Sequence, residues 1–118
     1  MFTMTRSRTA LPPAACLEAA GTDLRPVEGA LADEELATLA KAIGHPARVL
    51  ILRVLARRTA CTCSLLLEEL PLAQSTVSQH LKVLKDAGLI RGDIDGPRIS
   101  YCLEPRALRR LRSLVGSL

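Results

Sequence analysis

The fold of this chain can be inferred from one segment, QSTVSQHLKVLKDAG, which occupies residues 74–88. Within it Val77, Leu81 and Leu84 recur at the spacing of one helical face, and Gly88 is typical of the residue that follows a helix. The remaining side chains are mostly small, polar or basic. The segment therefore predicts a helix that packs by a narrow apolar stripe and presents a polar, basic face to the outside.

The sequence on both sides of this segment predicts the other elements of a winged helix-turn-helix, a mainly α-helical fold with a small β-hairpin. Helical spacing, capping residues and strand alternation each contribute to this prediction. The expected elements are a helix from the N-cap Asp33, a buried helix from Pro46, a short helix at residues 64–70, the polar helix, two strands at residues 89–95 and 99–103, and a last helix around Leu108 and Leu111.

The polar helix is the element that normally enters the major groove of DNA in this fold, while the hairpin contacts the flanking backbone. Residues 34–118 hold 13 Lys and Arg against eight Asp and Glu, whereas residues 1–33 hold three against four. Because the basic excess lies in the predicted domain, we expect double-stranded DNA as a partner. The expected base contacts are Gln74, Ser75, Thr76, Ser78 and Gln79, His80 is expected to be structural or to face DNA, and the expected phosphate contacts are Lys82, Lys85 and Arg98.

The chain is predicted to consist of a flexible arm, residues 1–32, and a DNA-binding and dimerisation domain, residues 33–118. The arm is rich in Ala and interrupted by Pro and Gly, and it shows no periodic pattern. Aromatic residues make up only 2% of the chain, so the terminal helices have apolar stripes with little core to cover them. We therefore expect a homodimer through Leu36, Leu39, Leu108, Leu111 and Val115.

Enzymatic and membrane functions are disfavoured by the sequence. It contains no paired acid and base, no Ser/His/Asp arrangement and no glycine loop of the kind that binds phosphate, so no enzyme is expected. No apolar run approaches the length of a signal peptide core or a membrane span, and we expect a cytoplasmic protein without a membrane partner. In that reducing compartment, clustered thiols are more often ligands or redox sensors than structural bridges.

The pair Cys61-Thr-Cys63 lies directly before the predicted helix-turn-helix. Two thiolates one residue apart can bind a soft metal or metalloid, and a helix start favours the thiolate form. A third sulfur is expected from Cys102, on the second wing strand, or from Cys16, in the arm. Strand pairing between the second wing strand and the segment before the short helix would bring Cys102 near Cys61.

Two segments, IGHPARVLIL at residues 43–52 and STVSQHLKVLKDAGLI at residues 75–90, resemble the signature segments of the ArsR/SmtB family of metal-responsive repressors. The resemblance implies a homodimer that binds its operator without inducer and leaves it when the inducer binds. The cysteine pair lies where the arsenic- and cadmium-sensing branches carry Cys-x-Cys. Two departures are Ser64, where those branches often have an acidic residue, and Ala73, where they often have a serine cap.

These observations predict a transcriptional repressor released from DNA by As(III) or Sb(III). Three sulfurs suit a trigonal metalloid, whereas zinc usually takes four ligands that often include imidazole. Two alternatives remain open. The inducer could be Cd(II) or Pb(II), or the same scaffold could carry a thiol switch that responds to oxidation or persulfidation.

Overall fold

The computed structural model describes residues 24–58 and 61–118. Within these residues the predicted order of elements is confirmed, and the architecture is that of a winged helix-turn-helix. Its elements are α1 (Ala30–Ile43), α2 (Pro46–Arg57), β1 (Cys61–Thr62), α3 (Cys63–Glu69), α4 (Gln74–Asp86), β2 (Ile90–Asp95), β3 (Arg98–Leu103) and α5 (Pro105–Gly116).

The three described strands form an antiparallel sheet in the order β1-β3-β2. Strands β2 and β3 form the wing, with Ile90 opposite Leu103 and Asp95 opposite Arg98. Their turn passes through Gly96, whose φ of 63° suits glycine and allows the tight reversal. On the other edge, Cys61 pairs with Tyr101 of β3, which confirms the predicted pairing of the segment before the short helix with the second wing strand.

The core lies where α2, α3 and α4 meet the sheet. Val77, Leu81 and Leu84, the apolar stripe of α4, are all buried, as the sequence predicts. Each such side chain contributes roughly 1.5–3 kcal/mol relative to an exposed position. The α2 helix is less enclosed than predicted, because Val49 and Leu50 remain 37% and 38% exposed.

The start of α1 differs from the sequence prediction. The helix begins at Ala30, almost one turn before Asp33, and Gly29 occupies the N-cap with a φ of 108°. The Gly29 carbonyl accepts a hydrogen bond from the Asp33 N–H at 2.9 Å. Asp33 therefore lies in the first turn, where its carboxylate interacts favourably with the helix dipole, and is not the cap.

The spacing of arginines over residues 106–112 predicts a solvated face of α5, and this prediction is wrong at one position. Arg106, Arg109 and Arg112 are exposed, but Arg110 is only 4% exposed. Its guanidinium donates to Glu35 of α1 at 2.9 and 3.1 Å and to the backbone carbonyl of Pro26 at 2.6 Å. Arg110 therefore ties α5 both to α1 and to the segment before it.

The residues predicted to form a dimer interface divide into three groups, since Leu36 and Leu108 are partly buried and pack against the core. Leu39 and Leu111 are buried within the single chain, at 5% and 7% exposure, so they contribute to its own core. Val115 is 49% exposed, and the nearby Leu118 is 91% exposed. A dimer interface on α1 and α5 therefore remains a prediction, with Val115 as its best test position.

None of the helices in the described part of the chain is both long enough and apolar enough to cross a membrane.

Candidate DNA-binding surface and thiol site

The outer face of α4 is the candidate DNA-reading surface. Ala73 is the N-cap residue of this helix and, as expected for alanine, its side chain makes no capping hydrogen bond. Lys82 forms an exposed ion pair with Asp86 at 3.0 Å. The predicted contact residues lie off the buried stripe. Gln74, Ser75, Ser78, Gln79, Lys82, Lys85 and, on the wing, Arg98 are exposed, and Thr76 and His80 are partly buried.

His80 connects the outer face of α4 to the start of α2. Its ring centroid lies 4.6 Å from that of His45, and His45 caps α2 by accepting a hydrogen bond from the Ala47 N–H at 3.0 Å. Burial lowers the pKa of His80, and the charges of His45 and Arg48 lower it further. The sequence Gly44-His45-Pro46 predicts that His45 belongs to the junction between α1 and α2, and the cap confirms this role. His80 helps to position α4 against that junction.

The Cys61-Thr-Cys63 segment spans the junction between a strand and a helix. Cys61 belongs to β1, Thr62 is the N-cap of α3, and Cys63 is the first residue of that helix. The Thr62 hydroxyl accepts a hydrogen bond from the Leu65 N–H at 3.3 Å. The cap explains why a hydroxyl residue separates the two thiols, and it holds one thiol on the sheet and the other on the helix.

The two described thiols of this segment have different environments. Cys61 is 1% exposed, whereas Cys63 is partly exposed, and both are free. Burial raises the pKa of Cys61, an effect that the nearby Arg58 guanidinium opposes. The Cys61 thiol is therefore protonated at neutral pH, and a ligand must displace its proton in order to bind.

Two ion pairs brace the segment from the outside. Glu69, at the end of α3, accepts hydrogen bonds from Arg58 at 2.6 Å and from Arg57 at 2.8 Å. The hydrogen bond from Arg58 contributes most to a lowered pKa of Glu69, followed by the one from Arg57. The end of α2 is thereby joined to the end of α3, close enough to Cys61 for the charges of Arg58 and Glu69 to affect its pKa.

The third sulfur is not part of a ready-made cluster. Across residues 24–58 and 61–118, no group of three His, Cys, Asp or Glu side chains is arranged to hold a metal ion. Cys102 lies one residue beyond Tyr101, the partner of Cys61, and its sulfur is in a disulfide. Cys16 lies outside the described residues. The identity of a third ligand therefore remains a prediction.

The environment of Cys102 also corrects a sequence expectation. Strand alternation predicts that Cys102 lies off the buried face of β3, yet it is only 1% exposed. Successive side chains point to opposite faces of the sheet, so the face that carries Cys102 is covered as well. The same alternation predicts that Ile99 lies on the buried face, yet it is 40% exposed near the wing tip.

A cavity of about 530 Å³ opens beside Cys63, between the candidate DNA-reading helix and the wing. Its walls come from three elements, so no local sequence signal could reveal it. Tyr101 forms part of the wall, and the pKa of its hydroxyl is raised by burial and further by Cys63. The lining residues are Thr62, Cys63, Ser64 and Leu65 around the start of α3, Gln74 and Ser78 of α4, and Pro97, Arg98, Ile99 and Tyr101 of the wing.

Comparisons with known proteins agree with this architecture. The family model described as bacterial regulatory protein, arsR family, matches residues 45–91. An uncharacterised HTH-type transcriptional regulator of Methanocaldococcus jannaschii is 34% identical over 86 residues, which cover 72% of this chain and 96% of that protein.

Two further relatives carry descriptions that mention arsenic. The arsenical resistance operon repressor of Staphylococcus xylosus is 36% identical over 70 residues, 59% of this chain and 66% of that protein. A crystal structure described as a possible transcriptional regulator for arsenical resistance superposes with a TM-score of 0.62 at 34% identity, covering 68% of this chain and 81% of that one.

Proposed function

Because the chain belongs to the arsR family of bacterial regulatory proteins, we propose that it is a repressor released from its operator by As(III) or Sb(III). The general part of this proposal, a DNA-binding transcriptional regulator that is not an enzyme, follows from the family and the fold. The specific part assigns inducer binding to Cys61 and Cys63. It also assumes a homodimer, since two copies of α4 would be needed to read two half-sites.

One observation carries this proposal, the position of the two free thiols on either side of the Thr62 cap. Cys61 is held by strand pairing and Cys63 by the first turn of α3. An arsenic atom bonded to both sulfurs imposes its own geometry on them. The junction between β1 and α3 must adjust to that geometry, because neither backbone position is free to move alone.

The adjustment reaches DNA through the packing of α3 on α4. Leu66 of α3 and Val77 and Leu81 of α4 are all buried in the same core, so a shift of α3 is transmitted to the recognition helix. A coupling free energy of about 1–3 kcal/mol would lower operator affinity by roughly 5–150-fold. A tilt of α4 in both protomers would break the match to successive major grooves.

A trivalent metalloid fits the donor set better than a divalent cation. The site provides two free thiols, and the nearby Glu69 carboxylate is already hydrogen-bonded to Arg57 and Arg58, which favours a thiophilic ion. The Staphylococcus xylosus relative is named as an arsenical repressor, which supports the same choice. Cd(II) and Pb(II) are thiophilic as well and come second, because the three bonds of a trivalent metalloid match the two or three sulfurs that this chain can offer.

A thiol redox switch is the second candidate function. The observation that favours it is the disulfide at Cys102, whose backbone lies one residue beyond the strand partner of Cys61. Oxidation or persulfidation of the thiols would then replace metalloid binding as the signal. The two functions predict opposite responses to a reductant.

The experiment that tests the proposed function uses the reduced protein and a DNA duplex that the protein selects from a random pool. Arsenite, antimonite, Cd(II), Pb(II) and peroxide are added separately, with and without excess monothiol, and DNA release is followed by fluorescence anisotropy. Release by arsenite that persists in monothiol supports the metalloid proposal. Release by peroxide alone, abolished by monothiol, contradicts it and supports the redox switch.

Two matched variants then identify the third sulfur. Cys102→Ser and Cys16→Ser are compared with the unmodified chain for arsenite affinity and DNA release. The substitution that weakens arsenite binding identifies the residue whose sulfur is the third ligand. If both behave as the unmodified chain, arsenic uses Cys61 and Cys63 with a third group from outside the protein.

A further inference from the structure

The contact between His45 and His80 joins the start of α2 to the candidate DNA-reading helix, α4. The two ring centroids lie 4.6 Å apart, and the ring planes are tilted by 45°. The chain contains two histidines, so both of its imidazoles lie at this contact. Histidine ordinarily has a pKa of about 6.5, which places its change of charge close to neutral pH. The contact is therefore the part of the protein that is most exposed to a mild change in acidity.

The cap of α2 decides where His45 can take up a proton. Its Nδ1 accepts a hydrogen bond from the Ala47 N–H at 3.0 Å, and a ring nitrogen that accepts cannot also carry a proton. Neutral His45 therefore carries its proton on Nε2. A further proton can bind only at Nδ1, where it removes the acceptor that caps the helix. His45 cannot be charged and cap α2 at the same time.

Arg48 places a fixed positive charge beside the two rings. Its Nη1 donates to the backbone carbonyls of Lys41 and Ala42 at 3.2 and 3.0 Å, so the end of α1 holds the guanidinium in place. Burial lowers the pKa of His80, and the charges of His45 and Arg48 lower it further. The closed junction therefore takes up a proton less readily than an open one would.

The charges on the elements around α4 do not offset this effect. The interactions that shift the pKa of His80 all lower it. Lys41, in the last turn of α1, adds another positive charge near Arg48. Carboxylates of α3, α4 and the segment that follows β3 are engaged in ion pairs with other residues. These pairs are Glu69 with Arg57 and Arg58, Asp86 with Lys82, and Glu104 with Arg91.

We propose that the contact between His45 and His80 is an acid-sensitive switch of DNA binding. Protonation of His45 removes the α2 cap and sets a positive charge against His80 and Arg48, so the two rings separate. Because His80 belongs to α4, this separation releases the DNA-reading face from its position on the core. The proposal requires only that the protein binds DNA, and it adds acidity as a signal that does not involve the thiols.

The direction of the effect follows from the lowered pKa of His80. An open junction exposes this ring to water and returns its pKa toward about 6.5, whereas the closed junction keeps it lower. Between these two values the open form binds more protons, so its population grows as the pH falls. The closed junction is thus favoured at pH 7.5 and loses this advantage below about pH 6.5.

Two substitutions of His45 separate the cap from the charge. Asn is a strong N-cap residue that does not titrate, so His45→Asn retains a cap at acidic pH. Ala cannot cap, so His45→Ala imitates the protonated junction at neutral pH. The backbone of His45 is extended, with a φ of −152° and a ψ of 133°, which is the usual conformation of an N-cap residue.

The assay compares DNA binding at pH 7.5 and 5.5 by fluorescence anisotropy, without arsenite. Each protein is measured with a duplex that it selects and with a scrambled duplex of the same composition. The ratio of the two affinities cancels the general attraction to phosphates, which grows as imidazoles become charged. The measured quantity is therefore the sequence preference of α4.

We expect the sequence preference of the unmodified chain to fall by at least about fivefold from pH 7.5 to 5.5. His45→Asn should keep its preference within about twofold over the same range, because its cap survives acidification. His45→Ala should show a reduced preference already at pH 7.5. If His45→Ala does not fold, the comparison of the unmodified chain with His45→Asn still decides the question.

Proton NMR of the imidazole C–H groups follows the same event at the rings. The His80 signal should titrate below about pH 6.5 in the unmodified chain, and its midpoint should rise in His45→Asn, because the charge of His45 is gone. Equal midpoints in the two proteins would overturn the proposal.

Two outcomes of the DNA assay would also overturn it. One is an equal loss of sequence preference by the unmodified chain and His45→Asn, and the other is a preference of the unmodified chain that does not change with pH. Both leave arsenite-dependent release untouched, since that response is measured separately.

Discussion

Replacement of Arg110 by Met should destabilise the protein far more than the same change at the adjacent Arg109. Arg110 is 4% exposed and its guanidinium donates to Glu35 and to the carbonyls of Arg25 and Pro26. Met keeps most of the apolar stem but removes all of these donors. Arg109 is exposed, so Arg109→Met is the matched control.

The size of the effect follows from what remains unpaired. Breaking a buried ion pair by removing one partner costs about 3–5 kcal/mol, because the other charge is left without compensation. Glu35 would keep its ion pair with Arg25 at 3.5 Å, and its side chain is 30% exposed, so part of its charge stays compensated. The two carbonyls add a smaller cost. We therefore expect a loss of about 2–4 kcal/mol for Arg110→Met and less than about 0.5 kcal/mol for Arg109→Met.

The assay is urea unfolding followed by far-ultraviolet circular dichroism. Both variants and the unmodified chain must be compared at one protein concentration, since the stability of a homodimer depends on concentration. A shift in midpoint with an unchanged slope reports the lost free energy. Equal midpoints for the two variants would refute the view that Arg110 fastens α5 to α1 and to the preceding segment.

Three further predictions concern the site and the assembly. Between pH 6 and 8, the affinity for Cd(II) should rise by at least about tenfold per pH unit, because burial raises the pKa of Cys61 and its proton must be released. The affinity for arsenite should change little with pH, since each thiol proton leaves as water. Equal slopes of affinity against pH for the two ligands would contradict this prediction. Gln79→Ala should change the preferred DNA sequence in a selection experiment, whereas Arg98→Ala should weaken all sequences alike and lower the salt dependence of binding. Val115→Glu should give a folded monomer by sedimentation, because this side chain is 49% exposed in the single chain, and a dimeric variant would exclude it from the interface.

The elements that carry the DNA-reading surface could be predicted from the sequence because their signals are local. The spacing of Val77, Leu81 and Leu84 defines the buried side of α4, and the polar residues between them must then face outward. The same holds for Gly88, which follows α4 with a φ of 81°. Neither conclusion needs knowledge of a distant contact.

The features that could not be predicted depend on tertiary contacts. Arg110 looks like its exposed neighbours in the sequence, and only the packing of α5 on α1 places it against Glu35. Cys102 alternates with the apolar residues of β3 and is nevertheless buried, because the sheet is also covered on the face that carries it. The cavity beside Cys63 requires α3, α4 and the wing together, so its existence could not be inferred from the spacing of the cysteines.

Whether inducer sensing occurs at Cys61 and Cys63 can be determined with a variant in which both residues are changed to serine. The measurement is the DNA affinity of Cys61→Ser/Cys63→Ser, with and without arsenite, beside that of the unmodified chain. We expect the variant to bind DNA with similar affinity, because neither thiol is among the proposed DNA contacts, and we expect arsenite no longer to release it. Normal release of the double variant by arsenite would mean that sensing occurs elsewhere in the protein.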